Sequence, residues 1–140
     1  MSFKQISQIA GSAMTAQTVR LNTVASNLAN AHSASGKEAD TYRARKPVFA
    51  AVAGLEGAGG QLPGARVQVL DVVESTEPVN KSYEPDHPLA NDEGMVFYPN
   101  VNPVAEMTDM MAASRAFETN VEVLQRVKGM QHSLLKLGEG

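Results

Sequence analysis

The stretch NPVAEMTDMMAASRAFETNVEVLQRVKGMQHSLLKL, residues 102–137, decides the fold. Its apolar residues recur at steps of mostly three or four, which is the spacing of one helix face. They are Val104, Met107, Met110, Met111, Phe117, Val121, Leu124, Val127, Met130, Leu134 and Leu137. Asn102 followed by Pro103 favours a helix start, because Asn accepts a hydrogen bond from a free amide and Pro suits the first helical position. The pattern predicts a helix that runs to about Leu137 and is stopped by Gly138.

A second helical stripe lies at the other end of the chain. From Phe3 to Ala31 there is no Pro and a single Gly, and the apolar period is close to 3.5 residues, with Gln17 as a polar interruption. This period resembles a coiled-coil seam more than the broad face of a globular helix. The stripe consists of Phe3, Ala10, Met14, Leu21, Val24, Leu28 and Ala31. The small residues expected to allow a second helix to approach closely are Ala13, Ala16, Ala25 and Ala29.

The middle of the chain has a strand-like pattern. A polar connector with Gly36 follows the first helix, and a Gly- and Pro-rich stretch at 54–65 predicts an exposed loop. Strands are predicted from Pro47 onward and over residues 66–73, 79–83 and 95–98, together forming one small sheet.

The predicted fold class is therefore α+β. Long N- and C-terminal helices pair as a coiled-coil-like bundle, with a small β-rich insertion between them. The expected domains are an N-terminal helix over 1–33, a β-rich part over 34–100 and a C-terminal helix over 101–140.

Charge is spread unevenly along the sequence. The net charge is −3 overall, but it is +4 over residues 1–46, −6 over 47–98 and −1 over 99–140. These opposite charges would steer neighbouring subunits into register. The alternative is that they simply lie on solvated faces.

Several function classes lack support in the sequence. With no cysteines, disulfides and thiolate metal sites are excluded. No phosphate-binding glycine motif, no recognisable catalytic Ser, His and Asp set and no basic run interleaved with aromatics is present, which argues against an enzyme or a nucleic-acid binder. There is no apolar run of about 18 residues and no signal-peptide pattern. His87 with Asp86, Asp92 and Glu93 is interpreted as turn chemistry rather than a metal site. No cofactor is expected.

The two apolar stripes predict assembly. Ordering a residue costs about 1–2 kcal/mol of backbone entropy. The N-terminal stripe offers seven side chains, several of them Ala, and burying a large one returns roughly 1.5–3 kcal/mol. Two helices would also leave the broad Met-rich face partly open. We therefore expect both helices to be poorly ordered in the free subunit and to become ordered when many copies bundle.

Specific stretches of the sequence carry a resemblance to a known family. SAMTAQTVRLNTVASNLANA, residues 12–31, resembles the signature of the flagellar axial proteins, and residues 87–130 resemble the proximal rod proteins of the bacterial flagellar basal body. The most specific pieces are PNVNPVAEM at 99–107 and ASRAFETNV at 113–121, and YRARKPVF at 42–49 matches the entry to the β-region. Met95 departs from the family, which usually has an aromatic residue there.

The resemblance implies a structural subunit of the rod, the drive shaft that crosses the periplasm, transmits torque and encloses the export channel. It implies export through the flagellar type III apparatus without a cleaved signal peptide. The implied partners are further copies, other proximal and distal rod subunits, the adaptor between rod and export gate, and the export apparatus itself. Nucleic acid and direct membrane insertion are not implied. The alternatives are another rod or hook subunit, or a soluble helical adaptor of the export system.

The candidate site is an assembly interface, and no catalytic, cofactor-binding or metal residues are predicted. Asn27 and Asn30 would fix register or, for Asn30, cap the helix; Arg20 and Arg115 would pair with carboxylates on adjacent helices or be solvated. The predicted interface residues are Met14, Arg20, Leu21, Val24, Asn27, Leu28, Asn30, Asn100, Asn102, Met107, Met111, Arg115, Phe117, Val121, Leu124, Val127 and Leu134.

A charge placed in either stripe should block assembly. We expect Leu28→Asp or Val121→Asp to abolish rod formation while the β-rich part stays folded, because an unpaired carboxylate is costly in an apolar seam. Electron microscopy of basal bodies from cells carrying each variant checks this. A normal rod with either change would refute it.

Overall fold

The computed structural model describes residues 2–53 and 64–140 and contains two long helices with strands between them. This confirms the coarse fold prediction. A short 3₁₀ turn at Glu38–Asp40 lies in the connector after the first helix. The helices are α1, Phe3–Asn30, and α2, Pro103–Gly138; the strands are β1, Arg45–Ala53, β2, Ala65–Glu74, β3, Asn80–Tyr83, and β4, Met95–Tyr98.

Both helices begin at residues whose side chains satisfy free backbone amides. Ser2 Oγ accepts from the amide of Gln5, and the Gln5 side chain accepts from the Ser2 amide, which forms a capping box before α1. Asn102 Oδ1 accepts from the amides of Val104 and Ala105, each at 3.2 Å, as its sequence context predicts. α2 ends at Gly138, the predicted stop.

The two helices run antiparallel and pack along one another. Arg20 of α1 contacts Asp109 near the start of α2, whereas Phe3 shares a groove with Leu134 and Leu135 near its end. Small buried residues line the helices: Ala10, Ala16 and Val24 in α1, and Ala113 and Val127 in α2.

Two of the four alanines predicted to allow close approach lie on the packed side of α1 in the subunit, and two do not. Ala16 is buried and Ala13 is half-buried, but Ala25 and Ala29 are exposed. At 100° per residue both turn away from the α1 face that carries Val24 and Asn27. For Ala25 and Ala29, close approach could only involve a helix of another subunit, and it stays a prediction.

The prediction of one small sheet is wrong. β1 pairs with β2 and β3 pairs with β4, both antiparallel, as two separate two-stranded sheets. Pro78 lies between β2 and β3 and cannot donate to a strand ladder, so the chain turns away before β3 starts. A bulge between Val48 and Phe49 further distorts the first sheet.

The predicted loop at 54–65 is too long at its end. Ala65 pairs with Ala53 as the first residue of β2, Gly64 precedes the strand, and residues 54–63 lie outside the described residues. The prediction for β3 began one residue early, at the buried Val79.

The acidic segment around His87 forms the connection between β3 and β4. His87 Nδ1 accepts from the amide of Leu89, and Asn91 Oδ1 accepts from the amides of Glu93 and Met95. Gly94 has a φ of +73°, which a side-chain-bearing residue rarely adopts. Over residues 2–53 and 64–140, no three His, Cys, Asp or Glu side chains are grouped as they would be around a metal ion.

Removing the α2 cap should destabilise the subunit. We expect Asn102→Ala to lower the free energy of unfolding by about 1 kcal/mol, because two amides lose their acceptor. Urea unfolding followed by circular dichroism measures this. Asn22→Ala, at an exposed position inside α1, is the control and should not lower it; equal losses in both variants would contradict the capping role.

Candidate assembly surface

An ion pair joins the two helices near the end where α2 begins. Arg20 Nε donates to Asp109 Oδ2 at 3.1 Å, and its terminal nitrogen donates to Asp109 Oδ1, so the contact is bidentate. Both side chains are partly buried, and the hydrogen bonds that the Arg20 guanidinium donates to the Asp109 carboxylate raise the pKa of Arg20. The bidentate geometry fixes the relative position of the helices along their axes.

Asn27 is buried inside the subunit, where it is 1% exposed, and all of its partners belong to the same chain. Its Nδ2 donates to the carbonyl of Arg45 at 2.9 Å, and its Oδ1 accepts from the amide of Arg45 at 2.9 Å. Oδ1 also accepts from the Tyr42 hydroxyl, which lies 3.1 Å from Ser26 Oγ. The side chain thus connects α1 to the start of β1.

Two further predicted interface asparagines also bond within the subunit. Asn100 Oδ1 accepts from the amide of Ala44 at 2.8 Å, while its Nδ2 donates to the carbonyl of Glu77 at 2.9 Å. Asn102 caps α2, as described above. These contacts place both side chains at the junction between the β-rich part and the helices.

The remaining polar candidates bond locally or are exposed. Asn30 Nδ2 donates to the carbonyl of Ser26, and the backbone carbonyl of Asn30 accepts from the hydroxyl of Ser33. Both contacts are local to the C-terminal end of α1. Arg115 is exposed, and none of the ion pairs in the described part of the chain involves it.

Most of the predicted apolar residues are buried or half-buried in the subunit. Val24 and Val127 are buried. The half-buried members of the set are Met14, Leu21, Leu28, Phe117, Val121 and Leu124. Their partial exposure means that one helix pair covers them only in part.

A second set of apolar residues on α2 is uncovered. Val104, Met107 and Met111 are 73%, 56% and 66% exposed, and at 100° per residue they lie on the side of α2 opposite the buried Ala113. We call these three residues the outer stripe. Near the end of the helix, Met130, Leu134, Leu135 and Leu137 are also exposed. Clusters of exposed apolar side chains are typical of interaction surfaces.

The β1–β2 hairpin lies back along α1. Ser12 Oγ accepts from the amide of Val67 at 3.1 Å, and Gly64 closely approaches Ile9. At its base, Arg45 pairs with Glu74 and its guanidinium stacks 5.6 Å from the centroid of the Tyr42 ring. The other face of the hairpin exposes Val48, Val52, Leu70 and Val73.

Sequence reasoning missed Asp109, Tyr42 and Arg45 as contributors to this architecture. Nothing in the local sequence of Asp109 marks Arg20 as its partner. Tyr42 and Arg45 fall in the YRARKPVF stretch, whose family resemblance was the available signal. Neither described helix combines the length and apolarity needed to cross a membrane.

Comparison with known proteins agrees with this architecture. Residues 8–32, most of α1, match the family described as "Flagella basal body rod protein", and residues 92–137 match "Flagellar basal body rod FlgEFG protein C-terminal". The chain is 48% identical to the flagellar basal-body rod protein FlgC of Escherichia coli O6:H1, over 99% of this chain and 100% of that protein. It is 46% identical to FlgC of Salmonella typhimurium, with the same coverage, and 35% identical to FlgC of Bacillus subtilis, over 94% and 95%.

These similarities define first a class, the flagellar basal-body rod proteins. Because the FlgC relatives match over nearly their whole length, the chain belongs to the FlgC family of that class. It is a structural subunit of the flagellar basal-body rod.

The Arg20–Asp109 pair should contribute measurably to helix pairing. We expect a double-mutant cycle of Arg20→Ala and Asp109→Ala to give a coupling energy of about 1 kcal/mol, because the contact is bidentate and partly buried. The more exposed Arg45–Glu74 pair is the control, with an expected coupling of about 0–0.5 kcal/mol. Urea unfolding measures both cycles. A coupling energy for Arg20 and Asp109 no larger than that of the control pair would contradict a stabilising role for the ion pair.

Proposed function

We propose that this chain is a proximal-rod subunit that polymerises with other axial proteins of the flagellum. The polymer forms the drive shaft that transmits torque and encloses the export channel. The observation that carries the proposal is the outer stripe of α2, because a structural subunit with a solvent-exposed apolar stripe gains free energy when neighbours cover it.

The antiparallel helix pair suits the inner wall of such a tube. In the assembly, α1 and α2 pack with helices of neighbouring subunits as a coiled-coil-like bundle, and the β-rich part lies outside them. The predicted domain division at residues 1–33, 34–100 and 101–140 follows from these separate roles. Methionines in the outer stripe suit contacts with non-identical neighbours, since their unbranched side chains adapt to irregular surfaces.

The predicted interface residues divide into two groups by their surroundings in the subunit. Met107, Met111, Arg115 and Leu134 are exposed and are proposed to contact neighbours directly. The others, among them the exposed capping residue Asn102, act through contacts within the subunit or complete their burial on assembly. They are Met14, Arg20, Leu21, Val24, Asn27, Leu28, Asn30, Asn100, Asn102, Phe117, Val121, Leu124 and Val127.

The neighbours proposed are further copies, other proximal and distal rod proteins and the adaptor between rod and export gate. The chain reaches the rod through the flagellar type III apparatus without a cleaved signal peptide, and the rod spans the periplasm. It has no enzymatic activity of its own. The helix ends order fully on assembly, and support comes from residues 128–140, every one of which is exposed in the subunit.

Charges in the outer stripe should block assembly but leave folding intact. We expect the double variant Met107→Asp and Met111→Asp to keep helix content and to change the free energy of unfolding by less than about 1 kcal/mol, since both positions are exposed. The same variant should fail to form rods, because the carboxylates would be desolvated against neighbours.

The matched control is Ala112→Asp, an exposed position in the same turn that points to a different side of α2. Each variant is produced in cells that lack the chromosomal copy, and basal bodies are counted by electron microscopy. Normal rods with the double variant would contradict the proposal. A stable, fully helical monomer that never enters the basal body would favour an export adaptor instead.

A further inference from the structure

The chain passes from the helix pair to the hairpin through residues 42–45, which we call the joint segment. The chain leaves the hairpin at the same place, because Arg45 pairs with Glu74 at the base of the β1–β2 ladder. Ala44 is buried in a small cluster with Ala31, which follows α1, and Val101, which precedes α2. Tyr42 packs against this cluster. Hence the ends of both helices and both ends of the hairpin meet here.

Two asparagine side chains hold the backbone of the joint segment from different sides. Asn27 on α1 forms a reciprocal pair of hydrogen bonds with the amide and carbonyl of Arg45. Asn100, just before α2, accepts from the amide of Ala44 and donates to the carbonyl of Glu77 beyond the hairpin. The carbonyl of Ala44 in turn accepts from the amide of Ser75 at 2.7 Å. All four backbone polar groups of Ala44 and Arg45 are thereby hydrogen-bonded, three of them to the two asparagine side chains and one to Ser75.

A primary amide is suited to this role because it carries both a donor and an acceptor. Its pairing with the amide and carbonyl of one residue reproduces the geometry of a strand neighbour, so α1 acts toward Arg45 as an adjacent strand would. Burial strengthens the constraint, since an unpaired amide at this site would lose its hydrogen bonds without water to replace them.

We propose that Asn27 is a positioning residue for rod assembly, which fixes the direction of the β1–β2 hairpin relative to the helix pair. The effect on rod assembly rests on the proposed function. Asn27 contacts no neighbour itself; it sets where the exposed hairpin face, with Val48, Val52 and Leu70, meets the next subunit. Ser12, which bonds to Val67, supplies the second point of attachment along α1.

The absence of cysteine makes a distance measurement on the isolated full-length chain direct. Spin labels are attached to cysteines introduced at Gln8 of α1 and Val73 of β2, both of which are exposed. Pulsed electron paramagnetic resonance then measures the distance between the labels, which reports the position of the hairpin base relative to α1. We expect a narrow distance distribution in the parent chain and a broader one with Asn27→Ala, with the helix content unchanged.

Asn30→Ala is the matched control, because Asn30 is one helical turn away and bonds only within the helix end. It should leave the distribution narrow. If Asn27→Ala fails to fold, Asn27→Asp serves instead: it keeps both accepting contacts but sets an oxygen against the carbonyl of Arg45, and it should also broaden the distribution. An unchanged width in the folded variant, or equal broadening in Asn30→Ala, would overturn the proposal.

A second readout separates this inference from the proposed function. In cells, folded Asn27→Ala should form far fewer rods than Asn22→Ala, at an exposed α1 position outside the predicted interface, and equal numbers would overturn the assembly role of the joint. If even the unaltered chain were absent from rods, the proposed function would fail, while the distance measurement would still decide whether Asn27 orients the hairpin.

Discussion

The antiparallel packing of α1 against α2 is the interaction on which the rest of the structure depends. It brings together residues from the two ends of the chain, and the Arg20–Asp109 pair sets its register. Once the helices are paired, the segments that leave α1 and enter α2 lie side by side. Asn27 and Asn100 can then hold the same short segment, and the middle of the chain needs no large core of its own.

The same pairing leaves a surplus of apolar surface. A single partner helix can cover one side of α2, yet the outer stripe lies on the other side and the last turns extend with every residue exposed. In an isolated globular protein this would be a liability for aggregation. Under the proposed function, neighbouring subunits cover this surface in the rod.

Features governed by local sequence could be predicted, and features governed by distant partners could not. The start of α2 followed from Asn102 and Pro103, and β4 followed from its run of apolar residues, because caps and short strands depend on nearby chemistry. The division into two sheets did not follow, since strand pairing depends on how the chain turns at Pro78. Likewise, the side chain of Asn27 offers a donor and an acceptor, but the sequence does not show that the partner is Arg45, which lies beyond the end of α1.

The most direct test of the central claim is a reconstruction of isolated basal bodies at a resolution that separates helices. The account predicts this chain within the rod, with α1 and α2 still antiparallel and with Val104, Met107 and Met111 covered by helices of neighbouring subunits. The chain located outside the rod, or in the rod with the outer stripe open to solvent, would contradict it.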